Sequence, residues 1–224
     1  MFKIAVLVSG GGTNLQAIID QIQSGQLSNV EIACVIASKP DTYAQVRAAK
    51  AGIPCLVVRR ADYPDMAAYD AAMLATLSPY NVQLIVLAGF LSLLGPNLVA
   101  AFKNRIINVH PSLVPSFCGP GLYGLKPHVA ALEYGVKVTG ATVHFVDEHY
   151  DEGPVLLQKA VNILPTDSPE TLQQRVMREA EQIILPQAIA LIAAGRVRID
   201  GRRTIIAENP DPAVEDFAAA SALE

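Results

Sequence analysis

Short apolar runs separated by helical patterns set the layout of this chain. Residues 4–8 (Ile-Ala-Val-Leu-Val) are apolar throughout and stop at three glycines, the pattern of a strand buried on both faces. Across residues 13–22, Leu15, Ile18, Ile19 and Ile22 recur on one side at helical spacing. Residues 32–37 read as a second strand and 42–51 as a helix closed by Gly52. A third strand over 54–58, a helix over 66–77 and a fourth strand over 84–88 follow. A short helix over 96–102 and a strand over 105–109 continue the alternation. Such alternation predicts βαβ units and a mostly parallel sheet.

The second half differs. Residues 139–146 and 155–163 are β-rich and flank the turn Asp151-Glu152-Gly153-Pro154, which predicts an antiparallel pair appended to the parallel core. A long helix is expected over 169–194, kinked at Pro186. From Glu208 onward, Asn-Pro-Asp-Pro precedes small and acidic residues, so 208–224 is expected to be a frayed or disordered tail. No repeat or linker interrupts residues 1–207, which are expected to form one α/β domain, a Rossmann-like three-layer unit.

Composition narrows the function classes. Of 224 residues, 51% are hydrophobic and 17% charged, with mean hydropathy +0.32, ample for a packed core and incompatible with a wholly disordered chain. The formal charge is −4, so no nucleic-acid partner held by a global positive field is expected. The run over 4–8 is shorter than the ~7–15 residues of a signal-peptide core. The stretch over 183–194 is broken by Pro186 and Gln187 and falls short of the ~20 residues of a membrane span, so no membrane role is expected. Cys34, Cys55 and Cys118 show no CxxC spacing. Cys34 and Cys55 read as small buried thiols, and a reduced, cytoplasmic protein is expected.

Three segments carry candidate chemistry. Ser9-Gly10-Gly11-Gly12-Thr13-Asn14 lies between the first strand and the first helix. Glycines there allow close backbone approach, and a helix start favours an anion. Leu15 occupies the third glycine position of a dinucleotide fingerprint, and Ser38-Lys39 rather than an acidic residue follows the second strand, so NAD is disfavoured. A phosphate on a smaller metabolite and a plain turn with a Thr13 or Asn14 helix cap are equally compatible with this segment.

Asn108-Val109-His110-Pro111-Ser112 ends an apolar strand, at the carboxyl edge where open α/β sheets bind ligands. Asn108 and His110, two apart, share a face, and an amide donor beside an imidazole suits a carbonyl that becomes an oxyanion. A structural histidine is the simpler alternative. The third segment, residues 140–154, runs from a strand into a loop with Asp147, Glu148, Asp151 and Glu152. These are either solvated turn residues or a source of one carboxylate that pairs with His110 and raises its pKa. His144 and His149 with these carboxylates match no standard zinc spacing, and no metal is expected.

Together these segments closely resemble the phosphoribosylglycinamide formyltransferases, the folate-dependent formyltransferase family of purine synthesis. The resemblance runs from the N-terminal strand through the helix ending near Gly195. It implies the formyltransferase fold and formyl transfer from 10-formyltetrahydrofolate, the co-substrate, to the amine of glycinamide ribonucleotide. It implies Asn108, His110 and Asp151 as the catalytic trio, and Gly12, Thr13 and Asn14 as the loop for the ribosyl phosphate. Glu181 matches a glutamate that contacts the glycinamide substrate, within a helix carrying a one-residue insertion. Leu91, Ser92, Leu93 and Leu94, with Asn108 and the loop Asp147, Glu148, His149, Tyr150 and Asp151, resemble the folate cleft.

Departures from the family pattern are also visible. Ser92 stands where many relatives have a basic residue, and another basic position falls near Met66, with Arg59 and Arg60 as substitutes. The segment 116–124 is longer than its counterparts and leaves Lys126 and His128 unassigned. Small-molecule partners are implied, in a monomer or homodimer. A formyltetrahydrofolate hydrolase or methionyl-tRNA formyltransferase would carry a further domain, for which residues 1–207 show no provision. A non-catalytic sugar-phosphate binding module on the same fold leaves the trio without a purpose.

Overall fold

The computed structural model describes residues 1–148 and 151–211. Its nine strands are β1 (Phe2–Val8), β2 (Val30–Ala37), β3 (Cys55–Val57), β4 (Leu84–Leu87), β5 (Ile106–His110), β6 (Val138–Phe145), β7 (Val155–Asn162), β8 (Val197–Asp200) and β9 (Arg203–Ile206). They form one sheet in the order β3-β2-β1-β4-β5-β6-β7-β9-β8. The first five are mutually parallel, and β6 runs antiparallel to both β5 and β7. The helices are α1 (Thr13–Gln23), α2 (Tyr43–Lys50), α3 (Met66–Leu77), α4 (Pro96–Ala101), α5 (Lys126–Tyr134), α6 (Pro169–Val176) and α7 (Gln182–Ala193).

Period-two alternation explains the unbroken apolar strands. Ile4, Val6 and Val8 of β1 enter a core shared with α1, α2, α6 and α7, whereas Ala5 and Leu7 enter a second core with α3 and α4. Leu84 and Val86 of β4 face the first core, and Ile85 and Leu87 the second. Each strand therefore buries both faces, the condition of a parallel sheet between two helical layers. Strand order reverses between β1 and β4, and the loops leaving their carboxyl ends open a crevice at that switch point. Ser9 ties the two loops together: its N–H donates to the Gly89 carbonyl (3.1 Å), and its hydroxyl accepts from the Leu91 N–H (2.8 Å).

The expected parallel core with an antiparallel pair beyond it is present. Several elements were not anticipated: α5, and the β8–β9 hairpin, which joins the sheet where Arg203 pairs with Val155. The helix expected over 169–194 is interrupted at Met177–Glu181 by a π-helical turn, and Pro186 lies inside α7 without ending it. A π turn accommodates one extra residue in a helix. Of the segment expected to fray, residues 212–224 lie outside the described residues. Within 208–211, the Asp211 N–H donates to the Gly195 carbonyl (2.9 Å) and Arg198 Nε lies 3.4 Å from the Asp211 carboxylate. All three cysteines are free thiols, Cys34 buried and Cys55 and Cys118 half-buried. Among the described residues, no helix is long and apolar enough to cross a membrane.

One buried carboxylate holds the crevice wall. Asp70 of α3 is fully buried and accepts from the backbone N–H groups of Gly95 (2.9 Å), Asn97 (3.0 Å) and Leu98 (3.2 Å). It thereby caps the first turn of α4, whose own geometry leaves those donors without partners. Asp70→Ala leaves three backbone donors unpaired, those of Gly95 and Leu98 buried, and is expected to cost about 3 kcal/mol. That corresponds to a fall in thermal unfolding midpoint of roughly 6–12 °C for a domain of this size. Differential scanning calorimetry checks it; an unchanged midpoint would show that α4 does not depend on this cap.

Candidate active site

The faces of β5 and β6 decide which side chains meet. Ile107 and Val109 of β5, and Ala141, Val143 and Phe145 of β6, belong to the first core. Asn108, His110, Thr142 and His144 therefore point the other way, beyond the cover of α3 and α4. The antiparallel register sets Asn108 opposite His144 and His110 opposite Thr142. Asn108 Nδ2 lies 3.2 Å from His144 Nε2, and His144 Nδ1 lies 2.9 Å from the Phe145 carbonyl oxygen.

Asp151 enters between the two imidazoles from the β6–β7 connection. Its Oδ2 is 3.6 Å from His110 Nδ1 and accepts from the Gly119 N–H at 3.0 Å, and its Oδ1 is 3.6 Å from His144 Nε2. Its side chain is 7% exposed. Gly153 makes this return possible, because a methyl group there would run into the Phe145 carbonyl. Burial pushes the Asp151 carboxyl up, but the flanking His144 and His110 and the Gly119 N–H outweigh it and hold it below the usual value.

His110 departs from expectation. Burial pushes its pKa down and outweighs the Asp151 carboxylate and the Phe117 carbonyl, which push it up; His144 adds to the lowering. Asp151 pairs with His110 as the sequence suggested, yet the net direction is reversed, because the ring is 5% exposed and loses more hydration than the carboxylate returns. Its Nε2 lies 3.1 Å from the Phe117 carbonyl oxygen. That acceptor places the proton of the neutral ring on Nε2 and leaves Nδ1 bare toward Asp151. Segment 116–124, whose role sequence alone left open, thus touches His110 through Phe117 and Asp151 through Gly119.

Two cavities meet at this cluster. The first, of about 190 Å³, is lined by Leu87, Phe90, Ser92, Leu93, Leu94 and Val146, with Asp147 and Glu148 at its acidic side. The second, of about 550 Å³, is lined by the loop from Ser9 to Asn14, Lys39, His110, His128 and Glu181. Asn108 and Asp151 belong to both. Of the residues singled out from sequence, Gly12, Thr13, Asn14 and Glu181 line the second cavity together with Leu91, while Ser92, Leu93, Leu94, Asp147 and Glu148 line the first. His149 and Tyr150 lie outside the described residues. Arg59 and Arg60 line neither cavity; Arg59 pairs with Asp62, and Arg60 donates to the Tyr63 carbonyl.

The glycine loop resolves one ambiguity. Neither Thr13 nor Asn14 caps α1: Thr13 Oγ1 lies 2.9 Å from Met177 Sδ, and Asn14 Nδ2 donates to Glu181 Oε2 at 2.7 Å. Gly12 has φ +70° and packs against Ala44 so closely that a side chain would collide with it, whereas Gly10 and Gly11 face open space. The first N–H groups of α1, uncapped by any side chain, border the second cavity. Glu181 is buried, and burial lifts its carboxyl to about 7 against the opposing Asn14 N–H.

Three lining residues were missed. Lys39 follows β2 at the carboxyl edge, a position that could have flagged it. His144 had its signal in the alternation of β6 but was considered only as a metal ligand. His128, fully buried in the first turn of α5, has both ring nitrogens without a hydrogen-bond partner among the described residues. Burial first, and His110 second, lower its pKa to about 4. Among the described residues, no group of three His, Cys, Asp or Glu is placed to hold a metal ion.

Comparison with known proteins agrees with this architecture. The Formyl transferase family model matches residues 2–189. Phosphoribosylglycinamide formyltransferase of Haemophilus influenzae is 43% identical over 199 residues, covering 89% of this chain and 91% of that protein. A trifunctional purine biosynthetic protein of Drosophila pseudoobscura pseudoobscura is 45% identical over 197 residues, of which the chain spans 14% of the length. The crystal structure of glycinamide ribonucleotide transformylase 1 from Symbiobacterium toebii aligns with a TM-score of 0.87 at 45% identity, covering 93% of this chain and 95% of that one. With a match spanning β1 to β7 and the residues that line both cavities, the chain belongs to the formyl transferase family.

Proposed function

We propose that this protein transfers the formyl group of 10-formyltetrahydrofolate to the amine of glycinamide ribonucleotide, in de novo purine biosynthesis. The observation that carries the reading is that two cavities of different chemistry share Asn108 and Asp151. The glycine loop, the start of α1 and Lys39 suit a sugar phosphate. The slot between Phe90, Leu93, Leu94 and Val146 suits a flat, partly apolar ring system with polar edges. A transferase needs donor and acceptor to meet at one point, and the shared wall supplies it. A hydrolase needs the donor site alone, and leaves the larger cavity without an occupant. The three free thiols fit a reducing, cytoplasmic setting.

The residues give a stepwise chemistry. The substrate amine attacks the formyl carbon, forming a C–N bond and a tetrahedral oxyanion. The attacking nitrogen must lose a proton; bare His110 Nδ1 takes it, directly or through a water, and Asp151 stabilises the imidazolium. His110⁺ and the Asn108 amide then donate to the oxyanion, at heavy-atom distances of ~2.7–3.1 Å. Because burial keeps His110 neutral at the outset, its charge appears as the oxyanion appears, so the attraction is stronger in the transition state than in the ground state. Collapse breaks the bond to folate N10, which receives the proton, and the formamide and tetrahydrofolate depart. Gly12, Thr13 and Asn14 hold the phosphate, and Asn14 with Glu181 holds the glycinamide ribonucleotide, Asn14 Oδ1 being a buried acceptor without a partner among the described residues. Ser92, Leu93, Leu94, Asp147 and Glu148 border the folate, with Leu91, His149 and Tyr150 added by family likeness.

A spectrophotometric assay with 10-formyltetrahydrofolate, run with and without glycinamide ribonucleotide, tests the reading. Folate deformylation is expected only when the amine is present; turnover without it would identify a hydrolase, and no turnover a binding module. His110→Ala is expected to lower kcat by roughly 10²–10⁴ while KM for both substrates stays within a few-fold. Retention of kcat within a few-fold would remove His110 from the mechanism. Glu181 adds a stability signature. Its folded-state pKa, about 7, exceeds its ordinary 4.5, so the folded protein holds a proton that the unfolded chain releases. Its contribution is full below 4.5 and is lost as pH rises through about 7. Glu181→Gln is therefore expected to gain unfolding midpoint relative to the parent protein across that interval. Parallel pH–midpoint curves for the two proteins would contradict this.

A further inference from the structure

We infer that His144 is a positioning residue whose tautomer sets which way the Asn108 amide points, an inference that rests on the transfer reading above. His144 sits on β6 directly opposite Asn108 and is 2% exposed. Its Nδ1 lies 2.9 Å from the Phe145 carbonyl. A carbonyl can only accept, so Nδ1 carries the proton, and in the neutral ring Nε2 is a bare lone pair. That lone pair faces the Asn108 side chain at 3.2 Å. Only the NH₂ end of the carboxamide can satisfy it; reversed, the amide would set two acceptors against each other in a buried place. One N–H of Asn108 Nδ2 is thus spent on His144, and the second N–H of the same nitrogen is the one left for the formyl oxygen.

The chain of dependence runs from backbone to reacting atom. The Phe145 carbonyl orients the His144 proton, His144 orients the amide, and the amide presents a donor where the oxyanion forms. An amide turned the other way would present its own oxygen to that charge and oppose the reaction. The charged groups facing His144 are Asp151, whose Oδ1 is 3.6 Å from Nε2, and His110 beyond it; Asp147 and Glu148 line the same cavity. A proton on Nε2 would turn toward Asp151 and release the amide. His144 lines the first cavity but acts on the formyl oxygen through Asn108, so its loss should appear chiefly in the chemical step.

The test pairs two variants with a direct look at the ring. In His144→Gln the side-chain oxygen can stand in for the Nε2 lone pair, whereas His144→Leu removes the acceptor. With 10-formyltetrahydrofolate and glycinamide ribonucleotide, His144→Gln is expected to keep kcat within about threefold. His144→Leu is expected to lose roughly a hundredfold in kcat, the scale of one lost oxyanion donor, with both KM values within about threefold. Nitrogen-15 spectra of the histidine rings in the substrate-free parent protein are expected to show His144 protonated at Nδ1 and bare at Nε2. A folded His144→Leu with unchanged kcat, a folded His144→Gln as impaired as His144→Leu, or a proton on Nε2 of the neutral ring would each overturn the inference. Should His144→Leu not fold, the ring spectrum decides. Because that spectrum needs no turnover, an inactive parent protein would count against the transfer reading and not against the tautomer.

Discussion

Side chains alternate along a strand with a period of two, so the register between β5 and β6 decides which residues share the open face of the sheet. With Asn108 opposite His144 and His110 opposite Thr142, one face collects an amide and two imidazoles while the other contributes Ile107, Val109, Val143 and Phe145 to the core. A slip of one residue would exchange these sets, bury the polar side chains in an apolar layer and turn the valines toward the crevice. The apolar face therefore fixes the geometry of the polar one. Gly153 then lets the chain return close beneath Phe145, bringing Asp151 between the imidazoles.

Burial gives this cluster its electrostatic character. A carboxylate 3.6 Å from a solvated imidazole would favour the imidazolium, but here lost hydration outweighs it and His110 is held below its ordinary value. A neutral ring with its proton on Nε2 can accept at Nδ1, so His110 is suited to gaining charge during reaction instead of carrying it beforehand. The same low-polarity surroundings make each misdirected lone pair expensive, which is why the tautomer of one histidine can govern the amide of an asparagine across the strand.

Much of this was legible in the sequence, for identifiable reasons. Strands buried on both faces are apolar throughout, so β1 and β4 declared themselves, as did the shift to an antiparallel pair around the turn at 151–154. The Asn108 and His110 pairing followed from strand periodicity alone. What stayed hidden depended on distant contacts. The β8–β9 hairpin is short and half polar, and joins the sheet through a single pairing at Arg203. Pro186 suggested a kink because it lacks an N–H, yet the helix departs from α geometry at 177–181, where Thr13 and Asn14 reach Met177 and Glu181 from the other end of the chain. The sequence showed the carboxylate beside His110 but not the burial that reverses its effect. Likewise His144 reads as one histidine in a β-run until the register sets it against Asn108.

A ternary complex tests the meeting of two cavities at Asn108 most directly. The measurement is a crystal structure with glycinamide ribonucleotide and a folate analogue that cannot release its formyl-like group. The expected result has the phosphate on the loop from Gly10 to Asn14, the folate ring between Leu93, Leu94 and Val146, and the carbonyl oxygen within hydrogen-bond reach of Asn108 and His110. A phosphate in the folate slot, or a carbonyl oxygen away from both side chains, would contradict it.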